Sequence, residues 1–169
     1  MQKIFQKYDD IEAELATRLA DPHVKIIGVE GFMLSGKTCL ATELQARLKI
    51  DLLRTDRYAT HSDEDTHYSR LIDLLRLKKH LDWFLEEESR VIIEGMCLRE
   101  ILGLIGKQPE FTVYVRKLSP VGLWHDGLNF ENFEKGDYSP YRALERSAFE
   151  YHKAMRPHEL AQYIFERIE

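Results

Sequence analysis

The sequence predicts an α/β fold, a five-stranded parallel sheet with helices on both faces, forming one domain over residues 1–169. Three observations predict it. Short apolar runs of buried-strand type alternate with stretches of helical periodicity, which is the pattern of a sheet covered on both sides. Between the first such run and the helical stretch after it lies Gly31-x4-Gly36-Lys37-Thr38. Glycines there suit a backbone that turns tightly between strand and helix. No internal repeat and no low-complexity linker interrupts the alternation.

Each element follows from its pattern. Residues 1–22 read as an amphipathic helix, with Ile4, Phe5, Tyr8, Ile11, Leu15 and Leu19 on one stripe, ended by Asp21-Pro22. The first strand, residues 24–30, carries Val24, Ile26, Ile27 and Val29, and Leu40, Leu44 and Leu48 follow at helical spacing. A second strand at 51–55 leads into Asp56-Arg57-Tyr58, and the polar residues 60–66 read as a loop. A long helix is predicted at 67–88, with Leu71, Leu74, Leu75, Leu81, Phe84 and Leu85 inward. Strand three, residues 91–93, ends at Glu94-Gly95; a helix at 98–105 and a fourth strand at 111–115 follow. Residues 118–140 are rich in Gly, Asn and aromatics and read as irregular. They carry too few spaced apolar residues for a packed helix, and Trp124, Phe130, Phe133 and Tyr138 suit a mobile lid over a filled site. A helix at 141–156 stops before Pro157, and residues 163–168 make the last strand.

Composition narrows the function classes. A chain of 169 residues suffices for one domain with a proper core. Net charge is −5, and the longest basic run is Lys78-Lys79, which argues against nucleic acid as the main partner. No stretch approaches the roughly 20 apolar residues of a membrane span, and the start MQKIFQKYDD lacks a signal-peptide core. Cys39 and Cys97 stand far apart in apolar surroundings and read as reduced packing residues of a cytoplasmic protein.

The chemistry gathers where strands end. Ligands of an open parallel sheet bind at the carboxyl ends of its strands. Three polar clusters follow strands: Gly31–Thr38, Asp56-Arg57-Tyr58 and Glu94-Gly95. The first is a Walker A pattern, which makes this a three-layer P-loop NTPase fold. Its nucleotide contacts are Gly31, Leu34, Ser35, Gly36, Lys37, Thr38 and Cys39. Backbone N–H groups wrap the phosphates, Lys37 reaches the β- and γ-phosphates, and the Thr38 hydroxyl takes Mg²⁺. Asp56 suits the group that accepts a hydroxyl's proton or holds it in line, or else caps a turn. Glu94 either binds Mg²⁺ through water or makes a structural hydrogen bond to the loop. His61 and His67 flank acids without metal-ligand spacing, and Trp124 either packs or stacks on an acceptor ring.

Taken together, Gly31–Thr38, Thr55-Asp56-Arg57-Tyr58 and Val91-Ile92-Ile93-Glu94-Gly95 resemble the uridine kinase branch of the nucleoside and nucleotide kinase-like P-loop proteins. The tail around Pro157 and Ala161 is similar to that family's carboxyl end. The resemblance implies ATP and Mg²⁺ as cofactors, with Lys37 and Thr38 on the nucleotide and Asp56 as the acceptor-activating carboxylate. It implies that Tyr58 lines the acceptor pocket; Arg57 is then a substrate contact or a surface ion pair. The chain departs from the family in its lid, where residues 118–139 contain no arginine. Arg142 and Arg146, four apart on one helix face, either replace the lid cations, Arg146 then joining Lys37 and Asp56 as catalytic, or remain solvated.

The expected activity is transfer of the γ-phosphate of ATP to a small-molecule hydroxyl, nucleoside-like or other. The alternative is a nucleotide-binding sensor or partner module with little transferase activity. A GTPase ranks last, because no Asn-Lys-x-Asp or Thr-Lys-x-Asp segment occurs. Acceptor identity and oligomeric state stay open.

Overall fold

The computed structural model describes residues 2–60, 66–87, 89–136 and 140–168. Its strands are β1 (Lys3–Phe5), β2 (Ile26–Gly31), β3 (Asp51–Arg54), β4 (Val91–Gly95), β5 (Phe111–Leu118) and β6 (Tyr163–Ile168). Its α-helices are α1 (Tyr8–Leu19), α2 (Lys37–Leu48), α3 (Leu74–Glu86), α4 (Leu98–Leu104), α5 (Gly127–Glu134), α6 (Ala143–Met155) and α7 (Pro157–Leu160). The strands form one sheet in the order β1-β6-β5-β2-β4-β3. Every pairing is parallel.

Alternation along each strand sends neighbouring side chains to opposite faces. Ile27, Val29, Ile92 and Val113 pack beneath α1 and α2 with Ile11, Leu15, Leu40 and Leu44. Ile26, Val91 and Ile93 pack on the other face with Leu77, Leu81, Leu98, Ile101 and Phe149. All six residues of β2 are buried, so the strand that feeds the glycine-rich loop runs through the middle of both cores. None of the helices among the described residues is long and apolar enough to cross a membrane.

The sheet has six strands where the sequence predicts five. Residues 3–5, expected within the first helix, instead pair with β6, Lys3 opposite Tyr163 and Phe5 opposite Phe165. The Gln2 amide nitrogen secures the start of this strand by donating to the carbonyls of His158, Glu159 and Ala161. Ile4 and Phe5 fall on the helical stripe only by extrapolation, and the open edge of β6 offers them a backbone ladder that a single segment cannot reveal. The helix itself begins at Tyr8, and Ile11, Leu15 and Leu19 are buried as expected.

Two further segments differ. The predicted 67–88 helix divides into a 3₁₀ turn at Tyr68–Leu71 and α3, whose amino end is capped by Asp73 accepting from the Arg76 N–H. Leu75 and Trp83 point outward on it. The stretch expected to be irregular holds α5, with Phe130 and Phe133 buried and Phe133 stacked on Phe149 at 5.2 Å. Two aromatics one turn apart give too short a period to read as a helix until α6 supplies the surface they pack on. Tyr138 lies outside the described residues. Cys39 is exposed while Cys97 is buried, so only the latter packs as expected.

Candidate active site

The fully buried β2 delivers its last residue, Gly31, to a crowded point. A Cβ there would lie 2.6 Å from the Val115 carbonyl oxygen and 2.7 Å from Ser35 Oγ, so only glycine lets the loop close against β5. Gly36 precedes α2 with φ of +94°, a left-handed conformation that glycine adopts without strain. A Cβ on it would meet the Arg167 guanidinium at 2.6 Å. Between the two glycines, Leu34 is 87% exposed and Ser35 is buried with its hydroxyl lacking a partner.

The functional side chains converge on this loop. Lys37 Nζ donates to the Phe32 carbonyl at 3.3 Å, within the loop that would cradle phosphate. Burial lowers its pKa, and the Glu94 and Asp56 charges work in the opposite direction. Thr38 Oγ1 donates to Glu94 Oε1 at 3.0 Å. Glu94 closes β4, directly beside β2, and is almost fully buried. Burial raises its pKa, opposed by Lys37 and by the Thr38 bond.

Arg54, the last residue of β3, joins the second cluster to the first. Its Nη2 lies 2.9 Å from Asp56 Oδ2 and its Nε 3.5 Å from Glu94 Oε2. The register that sets Arg54 opposite Glu94 makes this bridge possible. Asp56 itself remains about half exposed, and Arg57 is exposed beside it.

Tyr58 lines none of the cavities described among residues 2–60, 66–87, 89–136 and 140–168. Its ring is buried in the core and its hydroxyl pairs with His80 Nδ1 at 2.8 Å, while Arg76 covers the ring. Arg146 and Arg142 are exposed on the first turn of α6 and take no part in the bonds that build the loop site. Trp124 packs against Phe32 and Tyr114 beneath Arg116. His67 bonds Ser69, and His61 lies outside the described residues.

A buried polar frame supports the loop from below. Glu30, the residue before Gly31, accepts a hydrogen bond from the Tyr151 hydroxyl of α6. Burial raises the Glu30 pKa, with the Tyr151 bond and Arg99 opposing. One residue along the helix, His152 stacks on the Phe32 ring with centroids 3.7 Å apart. Its Nδ1–H donates to the Ala148 carbonyl and its Nε2 accepts from Tyr114. Burial holds its pKa down at about 3, so the ring is neutral in this bond pattern.

The sequence reading brought forward Gly31, Gly36, Lys37, Thr38, Glu94 and Asp56, and these come together at one edge of the sheet. It missed Arg54, Arg167 and Glu30. Arg54 carried a signal, a strand-terminal cation two residues before a carboxylate. The other two carried none, because their neighbours are remote in sequence.

No protein-family model matches this chain, and no curated protein resembles it in sequence. Its fold is found among solved structures. A structure described as a possible uridine kinase from Bacillus stearothermophilus is 19% identical, with 93% of this chain and 98% of that chain covered at a TM-score of 0.58. A chain from Chloroflexus aurantiacus is 15% identical over 85% of this chain and 87% of its own, at a TM-score of 0.45. The likeness to the Bacillus stearothermophilus structure is one of fold: the chain shares the α/β architecture of that structure along nearly its whole length.

Proposed function

We propose that this protein is an ATP- and Mg²⁺-dependent phosphotransferase that moves the γ-phosphate to a hydroxyl of a small molecule. The observation that carries the reading is the Lys37–Thr38–Glu94 constellation on a loop that accepts no side chain at Gly31. Lys37 leaves the Phe32 carbonyl for the β- and γ-phosphates, and the backbone N–H groups at the start of α2 face the same anion. The orphaned Ser35 hydroxyl gains a phosphate oxygen as its partner.

The donor set also suits the metal. Thr38 and Glu94 offer two hard oxygens 3.0 Å apart. Mg²⁺ takes few protein ligands, keeps several waters and fills its shell from phosphates. It would be held by Thr38 directly and by Glu94 through water, and would supply charge neutralisation on the transferring phosphate. Arg54 pairs with both the Asp56 and the Glu94 carboxylates and so ties the second cluster to the metal-binding pair. Asp56 then orients water and the approaching hydroxyl at the mouth of the site. The chain would act as one domain in the cytoplasm, on small molecules alone.

Thermal unfolding with and without ATP and Mg²⁺ tests the nucleotide site, with Lys37→Ala as the control variant. Label transfer from γ-labelled ATP to a panel of alcohols tests the chemistry. One observation favours the second reading, a nucleotide-binding module: the region expected to form a mobile lid is instead anchored by buried Phe130 and Phe133. ATP binding with no labelled product from any alcohol would select it.

A further inference from the structure

The last strand outruns its neighbours at the edge where the phosphate loop lies. β2 ends at Gly31, opposite Val115 of β5, and Val115 in turn stands opposite Phe165 of β6. β6 continues beyond that row through Glu166 and Arg167 to Ile168. Side chains of a strand alternate between its faces. Tyr163 and Phe165 pack in the core beneath α1 and α2, so Arg167, two residues on, falls on the α2 side of the sheet.

There it meets the amino end of α2. Arg167 Nη1 lies 2.6 Å, and its Cδ 3.0 Å, from the place a Cβ would take on Gly36, the residue that precedes the helix. The guanidinium thus rests on the glycine whose left-handed backbone turns the loop into the helix. Arg167 is exposed and has no ion pair, hydrogen bond or ring contact among the described residues. Its neighbour Glu166 is taken by Arg116 at 3.6 Å and by the Gln6 amide at 3.1 Å. One residue before Gly36, the buried Ser35 hydroxyl also lacks a partner. A cation without an anion and a buried hydroxyl without a partner, on adjoining residues of one loop, mark a place built for an anion. Lys37 Nζ turns back instead to the Phe32 carbonyl at the start of the loop, so the two cations serve different stretches of it.

We infer, on the reading of this loop as a nucleotide site, that Arg167 grips the α- and β-phosphates at the amino end of α2, so that the last strand supplies a cation the lid region lacks. Residues 118–139 contain no arginine, and Arg142 and Arg146 are exposed on α6 away from the loop's bonds. A helix amino end attracts a pyrophosphate, and a planar guanidinium presents paired N–H donors to two of its oxygens. Lys37 then covers the β- and γ-phosphates. With no partner to give up, Arg167 moves from Gly36 onto the phosphate oxygens without breaking a bond.

The test is calorimetric titration of the full chain with ATP and with ADP, each with Mg²⁺. Arg167→Ala is expected to raise both Kd values by about 10–100-fold, as loss of a hydrogen bond between charged groups does. Its apo melting temperature should stay within about 2 °C of wild type, because the side chain is exposed. The ratio of the variant's Kd to that of wild type is expected to fall as KCl rises from about 50 to about 500 mM, since salt screens an exposed charge pair and leaves a packing defect alone. Arg167→Lys keeps the charge and loses the fork, so its Kd values are expected between those of wild type and Arg167→Ala. An Arg167→Ala Kd for ATP within about threefold of wild type, a loss for ATP without one for ADP, a ratio unmoved by salt, or a lysine variant no better than the alanine one would each overturn the inference. Wild-type protein that binds neither nucleotide would overturn the nucleotide-site reading itself.

Discussion

Lys37 is the residue on which the nucleotide site turns. Its ammonium is partly buried and satisfied by a single carbonyl of the loop, so removing it leaves no apolar void in either core. Lys37→Ala is expected to keep its apo melting temperature within about 2 °C and to lose most of the ATP-dependent shift. A folded variant with the wild-type shift would exclude the loop as the phosphate site. Tyr58 tests the opposite kind of assignment. Its hydroxyl pairs with His80, so Tyr58→Phe is expected to lose about 1 kcal/mol of stability and to leave acceptor KM unchanged. Urea denaturation and steady-state kinetics separate these effects, and a KM change without a stability change would return Tyr58 to the acceptor site.

Helix α6 works as an element because consecutive residues, Tyr151 and His152, hold the strand end and the loop at once. The His152 pKa of about 3 lies below the roughly 6.5 of an unfolded histidine. Between those values the unfolded chain binds a proton that the folded one refuses. Stability therefore falls as pH drops from about 6.5 toward 3, and the contribution is complete above 6.5. His152→Gln should remove that dependence, so wild type is expected to gain up to about 1.4 kcal/mol per pH unit more than the variant between pH 4 and 6. Parallel pH profiles for the two proteins would show that the ring is not a buried neutral base. The neighbouring helix α5 is anchored by Phe133, 1% exposed. Phe133→Ala is expected to destabilise by about 3–5 kcal/mol, as core aromatics do, and a loss under about 1 kcal/mol would restore the expectation of a loose lid.

At the scale of the whole molecule, the sheet order sets β2 between β4 and β5, so Glu94 and the phosphate loop meet at one edge. ATP with Mg²⁺ at about a hundred times its Kd is expected to add about 2.7 kcal/mol of stability, seen as a melting shift of roughly 5–10 °C. The absence of a shift at that excess would mean that the edge binds no nucleotide. Much of this was legible in the chain alone. Strand and helix periodicity, the Gly31–Thr38 spacing and the carboxylates that end β4 and follow β3 are local, because residue type and distance along the chain carry them. They determined the fold class and half of the site. Tertiary structure decided what depends on a partner far away in sequence: the pairing of Lys3–Phe5 with β6, the packing of Phe130 and Phe133 on α6, and the burial of the Tyr58 ring against His80. The physical reason is that a backbone ladder, a packing surface or a cavity is a property of two segments together, and neither segment's sequence contains it.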